Sequence, residues 1–305
     1  MELIRKVEEA DVPRIRELLQ KVFQDDEFQD IKRLGGMTNH SYCVTRMDGK
    51  PYLVRIPGEG TEELINRRDE RKSTELGCKL GLDAKLYYFG DDGTKVMEFI
   101  PDSQELTIET MRKPIVMNQV VDILYRLHHC GVDTGVPFEV FDMAASYEKI
   151  IREAHVRLYD DYEDVKKSVM EIKAKMGHVC PSQKAPCHND VLIGNWILDG
   201  SDKLYLVDWE YSGMNDPMWD LSCFSIEMDY DEKNDDDFLS LYFKRMPSLV
   251  EKKKFVTEKL YVDYLWTLWG CTRIPYDGKF MQEYADNRYQ RLNRNLRMFY
   301  ELEEK

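Results

Sequence analysis

The sequence predicts an α+β chain in two parts: an antiparallel sheet with a helix over residues 1–99, and a mostly helical part over residues 100–305. Three observations predict it. Between Ile31 and Gly58, apolar and polar residues alternate with the period of two that a half-buried strand requires. Turn signals fall where such strands would reverse, at Gly35-Gly36, Asp48-Gly49 and Asp91-Asp92-Gly93. After Pro101 the alternation gives way to long stretches with apolar residues at helical spacing.

The elements follow in order. Val12, Ile15, Leu18, Leu19 and Phe23 share one helical face, so the first thirty residues read as one helix. "IKRLGGMTNHSYCVTRMDGKPYLVRIPG" reads as three antiparallel strands. "TEELINRRDERKSTELGCKLG" reads as a helix stopping at Gly77 or Gly81. "AKLYYFG" and "TKVMEFI" are two more strands. Helices are expected around 108–131, 145–176, 235–245, 250–270 and 279–303, interrupted by strands at 196–198 and 204–207.

Composition narrows the function. With 43% hydrophobic and 33% charged residues, the chain of 305 residues reads as soluble and globular. No apolar run reaches the roughly 20 residues of a membrane span, and the amphipathic, charged N-terminus is unlike a signal peptide. A formal net charge of −14 argues against nucleic acid and anionic membrane as partners and favours small cationic substrates. Seven cysteines without a C-x-x-C pair suggest reduced thiols in the cytoplasm. Six histidines without H-E-x-x-H argue against a zinc enzyme.

Chemistry concentrates in "PCHNDVLIGNWIL" and "LYLVDWEYSG". Asp190 can take a proton from a hydroxyl, while Asn195 and Asp208 offer hard oxygens suited to Mg²⁺ held together with phosphate. The spacing H-x-D-x-x-x-x-N, with an Asp ending a later strand, is that of a kinase catalytic loop and its metal-binding Asp. H-N-D alone would equally suit a loop whose side chains cap turns; Asn195 and Asp208 at these intervals favour catalysis. Thr38 and Asn39, after the glycine turn, could donate to phosphates, though a Gly-Gly pair is more often a plain hairpin turn. Arg55 is the lone cation in "PYLVRIPG". It either holds phosphates or faces outward, and Glu70, with Glu75 as competitor, would orient it. The adenine is expected against "MEFIPD", using backbone near Glu98 and Ile100.

These motifs, with "GGMTNHSYCV", "YLVRIPGEGTEELINRRDE", "MNDPMWDLSCF" and "WTLWG", resemble the choline/ethanolamine kinase family. That family belongs to the small-molecule kinases with the aminoglycoside-phosphotransferase type of protein kinase-like fold. The resemblance runs from about residue 31 to about 272. It implies a two-lobed fold and Mg²⁺ with ATP as co-substrate. It further implies Asp190 as base, Asn195 and Asp208 as metal ligands, and Arg55 with Glu70 as the nucleotide-positioning pair. Where eukaryotic relatives have "CEW", this chain has Ile226-Glu227-Met228, which keeps the carboxylate and loses an aromatic.

Trp266 and Trp269 lie at i,i+3 on the helix "YVDYLWTLWGCTR". From the helix alone, two core-facing stripes are the commoner outcome. The resemblance turns the pair into a box for a quaternary ammonium, with Glu227 as counter-charge and Tyr230 as an extra wall. Asp220 is expected to brace the catalytic loop and His188 to hold it. His128 and His129 read as the end of a helix. The expected function is therefore phosphorylation of choline in the cytoplasm. Ethanolamine or an aminoglycoside is the alternative substrate, and a catalytically silent binding module the alternative class.

Overall fold

The computed structural model describes residues 7–34, 39–58, 65–104 and 106–304. In chain order the elements begin α1 (Asp11–Phe23), β1 (Phe28–Arg33), β2 (Asn39–Arg46), β3 (Pro51–Pro57), α2 (Arg67–Lys79), β4 (Leu86–Phe89) and β5 (Lys95–Glu98). They continue with α3 (Ile108–Met111), α4 (Pro114–His128), α5 (Val140–Glu153), α6 (Tyr162–Val179), β6 (Ala185–Cys187), β7 (Trp196–Leu198), β8 (Leu204–Leu206) and β9 (Gly213–Asn215). The chain ends in α7 (Pro217–Glu227), α8 (Glu232–Phe243), α9 (Leu249–Asp277) and α10 (Lys279–Glu303). No helix among the described residues is long and apolar enough to cross a membrane.

The residues group into two compact units, one reaching Thr110 and including Ile193–Ser212, the other Met111–Leu192 with Gly213–Lys305. The grouping thus departs from an order of 1–99 and 100–305. The reason lies in the β7–β8 hairpin. Leu206 N–H donates to Leu82 O at 2.9 Å and Gln104 N–H to Leu198 O at 2.9 Å. Ile197, Tyr205 and Val207 pack on Ala84, Met97 and Ile100.

In the first unit the sheet runs β1-β2-β3-β5-β4, every pair antiparallel. Strand periodicity sorts its faces. Tyr42, Val44, Tyr52, Val54, Ile56 and Val96 pack on Ile15, Leu18 and Leu19 of α1. The alternate positions of β3 put Leu53 and Arg55 on the opposite face. Helix α1 is shorter than expected: Gln24 turns left-handed at φ 59°, its N–H closing on Gln20 O, and β1 starts at Phe28. Gly77 does not end α2. A Cβ there would lie 2.4 Å from the Trp209 ring, so the glycine lets that indole against the helix.

In the second unit α9 is buried almost continuously from Lys254 to Thr272 and packs against α5, α7 and α10. Ser248 and Glu251 form a capping box at its start. The helix expected over 145–176 is two, α5 and α6, because His155 takes a positive φ of 55° between them. Helix α7 is not among the helices that the apolar spacing predicts. Its signals were nonetheless in the chain: Asp216 caps Met218 N–H at 3.0 Å and Pro217 opens the first turn.

Candidate active site

Arg55 of β3 is buried, 3% exposed. Its guanidinium pairs with Glu70 of α2, lies 3.3 Å from Asp208 Oδ1 and donates to Gly93 O at 2.9 Å. Glu70, 1% exposed, also meets Arg67 at 2.7 Å and Lys95 at 3.6 Å. The competitor Glu75 is exposed and pairs with Arg71. Lys95 escaped the sequence reading, although register could have found it: it sits directly opposite Arg55 on β5.

Asp208 adopts a left-handed φ of 68°, an uncommon conformation for a residue other than glycine. Such strain persists only where surroundings enforce it and concentrates at functional sites. Its carboxylate is 35% exposed beside the buried Arg55. Val207 N–H donates to Asn195 O at 2.9 Å, bringing Asn195 alongside. Asn39 Nδ2 donates to Glu210 Oε2 at 3.2 Å. Burial, reinforced by the charge of Asp208, pushes Glu210 up to about 7. Oxygens of Glu70, Asp208 and Glu210 lie within 4.8 Å of one another. Trp209, between the two acids, is fully buried and donates to Asp83 Oδ2 at 3.0 Å.

Asp190 lies in a loop held from below. Asp220 of α7 accepts from His188 N–H at 2.8 Å and Asn189 N–H at 2.7 Å. Asn189, at φ 67°, is pinned further by Asn215 Nδ2 and Trp219 Nε1, both at 2.9 Å. Asp220 therefore braces the loop. His128 does more than end α4: buried, it joins Tyr242 at 2.8 Å to Asp220 at 3.0 Å. The negative charge of Asp190 reaches Tyr147, whose hydroxyl is pushed well above its usual range by burial first and Asp190 second.

Trp266 and Trp269 are buried, 2% and 6% exposed, with ring centroids 5.8 Å apart edge to face. Trp269 also meets Tyr284 of α10, centroids 5.8 Å apart. Glu227 is half-buried and held by Arg288 at 2.7 Å. Burial pushes the Tyr284 hydroxyl up; Arg288 opposes this, and Glu227 and Asp190 reinforce it. Tyr284 thus joins Asp190, Glu227 and Trp269 in one neighbourhood. The sequence reading missed both Tyr284 and Arg288, one helical turn apart on α10.

The remaining expected residues lie elsewhere in the two units or outside the described residues. Thr38 lies outside the described residues. The Tyr230 ring meets Phe224 and Phe238, which carries it toward α8. Glu98 is exposed, its N–H donating to Lys85 O at 2.8 Å. Ile100 joins Ala84 and Met97 in an apolar cluster edged by half-buried Leu53, Ile197 and Val207. A half-buried apolar surface beside a buried arginine can take the face of a planar base and the phosphates attached to it.

Residues 31–295 match the family model described as choline/ethanolamine kinase. LicA of Haemophilus influenzae (strain ATCC 51907 / DSM 11121 / KW20 / Rd) is 25% identical over 285 residues, 87% of this chain and 100% of that one. The solved choline kinase LicA from Streptococcus pneumoniae is 31% identical with a TM-score of 0.81, covering 94% of this chain and 98% of that one. A LicA structure in complex with AMP is 30% identical with a TM-score of 0.79, again covering 94% and 98%. The aminoglycoside phosphotransferase APH(2'')-Ib, 18% identical with a TM-score of 0.62 over 96% of this chain and 99% of that one, shares the fold.

Proposed function

The chain belongs to the choline/ethanolamine kinase family, and from that premise we propose that it transfers the terminal phosphoryl group of ATP to the hydroxyl of choline, giving phosphocholine and ADP. The observation that carries phosphotransfer is the buried Arg55, paired with Glu70 and facing the strained, accessible Asp208. A buried arginine is charged at every working pH and can hold phosphate oxygens through two parallel N–H bonds.

Asn195 and Asp208 would hold Mg²⁺. An amide oxygen and a carboxylate are the hard donors that this cation takes, and Glu210 adds a carboxylate beside Asp208. When bound, the ion neutralises charge on the β- and γ-phosphates. Asp190 orients the acceptor hydroxyl and takes its proton as the oxygen attacks, while Asp220 and His128 keep the loop in place through its amides. Leu53, Ile197 and Val207 offer the adenine a half-buried apolar surface. The likeness to choline kinase LicA from Streptococcus pneumoniae and the pair Trp266 and Trp269 support choline as acceptor. The intact set Asp190, Asn195 and Asp208 argues against a silent binding module. Seven free thiols suit the cytoplasm.

The test is ATP consumption with Mg²⁺ across choline, ethanolamine, aminoglycosides and sugars. Choline should give the highest kcat/KM. A higher value for ethanolamine or an aminoglycoside would replace choline as substrate, and no turnover with any of them would sink the kinase reading.

A further inference from the structure

Glu227 faces Arg288 where the sequence reading expected a cation-binding counter-charge. Arg288 of α10 is 4% exposed, bonded to Glu227 Oε1 at 2.7 Å and 3.5 Å from Asp263 Oδ1. Asp263, fully buried, is itself gripped by Arg291 through Nε at 2.9 Å and Nη2 at 2.7 Å, and by Asn295 Nδ2 at 3.1 Å. Each carboxylate in this cluster is therefore matched by a guanidinium. Arg288 also lies over the Tyr284 ring, 5.1 Å from its centroid. Burial disfavours its charge, but the carboxylates Glu227 and Asp263 outweigh that and hold it cationic.

Tyr284 ties this cluster to the chemistry, since it meets Trp269 and feels both Glu227 and Asp190. An amino alcohol with its hydroxyl at Asp190 has its nitrogen two carbons away, within this same neighbourhood. We propose that Arg288 is a specificity-determining residue: by neutralising Glu227 it withholds a free carboxylate from the amine end and so favours a quaternary ammonium over a primary one. The inference rests on the choline reading above.

The physical argument turns on what each cation needs. A primary ammonium is compact and strongly hydrated, with three N–H donors, so leaving water requires acceptors and concentrated negative charge. A trimethylammonium has no donors and a diffuse charge, and aromatic faces serve it. A carboxylate already paired with an arginine offers the primary ammonium a weakened field and a competing cation. The trimethylammonium loses less.

The experiment measures kcat/KM for ethanolamine, its mono- and dimethyl derivatives and choline, a series in which N–H donors fall from three to none. Arg288→Met should lower the choline-to-ethanolamine ratio about tenfold, with the intermediates graded between. A residue that only supports the fold would lower all four together. Replacing both partners of a buried pair leaves no orphaned charge, so Arg288→Met with Glu227→Gln should fold and return the ratio to within about threefold of wild type. Should Arg288→Met fail to fold, Arg288→Lys carries the test, because a lysine pairs less fully with Glu227 and should shift the ratio in the same direction. An unchanged ratio in folded single variants overturns the assignment, as does a double variant that stays shifted. A wild type that turns over ethanolamine and not choline would instead overturn the choline reading, and this assignment with it.

Discussion

Glu70 and Arg288 are both buried ions at the centre of a charged cluster, and the clusters are built in opposite senses. Glu70 is one carboxylate facing three cations, Arg55, Arg67 and Lys95. Arg288 is one cation facing two carboxylates, Glu227 and Asp263. In the first, Arg55 and Arg67 also approach Asp208 and Glu210, and Arg55 lies beside the accessible Asp208, where polyphosphate charge can be met. In the second, the arginine is held between two carboxylates and has little to offer an anion. Guanidinium groups oriented beside an accessible carboxylate suit a nucleotide, whereas a matched cluster beside aromatic rings suits a weakly hydrated cation.

The broadest test asks whether both clusters serve one reaction. Asp190→Ala should cut turnover by on the order of 10²–10⁴, the usual worth of a positioned base. Binding of ATP and of choline should persist, each measured by calorimetry. Turnover within threefold of wild type would remove Asp190 from the mechanism and leave the clusters without a shared task.

The next test separates them. Arg55→Lys keeps the charge and loses the planar fork. Bonds to charged groups contribute about 1.5–3 kcal/mol, so the KM for ATP should rise roughly tenfold to a hundredfold while that for choline stays put. A rise for choline alone would exchange the roles assigned to the two clusters.

The two clusters also differed in how far the sequence disclosed them. Arg55 lies on one strand and Glu70 on the next helix, so local spacing sufficed. Asp208 was legible because a strand-like run ends in it. Lys95 was not, since only cross-strand register brings it to Arg55. Arg288 was hidden for a stronger reason: 61 residues separate it from Glu227, and nothing local marks a buried arginine on a helix rich in exposed ones. His128, 92 residues from Asp220, read as a helix end for the same cause. Helical periodicity finds the face that a residue shares with its own helix, but not what a helix from elsewhere lays against it. The strands at 196–198 and 204–207 are legible, but their pairing and their grouping with the first sheet rest on backbone bonds, to Leu82 and Gln104 among others, that no pattern encodes.

The aromatic wall beside the second cluster gives a smaller effect. Burial of Trp266 and Trp269 suits a core stripe as well as a cation box, so a substitution decides between them. Trp266→Ala should raise the KM for choline about tenfold, equivalent to ~1.4 kcal/mol. Ethanolamine turnover should change less. A choline-to-ethanolamine ratio that does not fall would return the pair to the core.

The smallest effect comes from a third buried cluster that is assigned no part in the reaction and so serves as a control. Lys254 stands between two acids, 3.0 Å from Asp216 and 3.5 Å from Glu258. One positive charge cannot neutralise two carboxylates, and burial, with the charge of Asp216, pushes Glu258 up to about 8. A carboxyl raised in the folded state binds its proton more tightly there than in the unfolded chain. Its contribution to stability is therefore complete below the ordinary carboxylate range and is lost as pH climbs through about 8. Glu258→Gln removes the titration. Between pH 6 and pH 9 the wild type should lose roughly 2–4 °C of Tm more than the variant does, read by thermal unfolding in matched buffers. Because the cluster touches neither phosphate nor acceptor, the ratio of kcat/KM for choline to that for ethanolamine should stay the same in Glu258→Gln. A shifted ratio would mean that any buried charge in this unit tunes specificity, and the distinction drawn for Arg288 would lose its meaning.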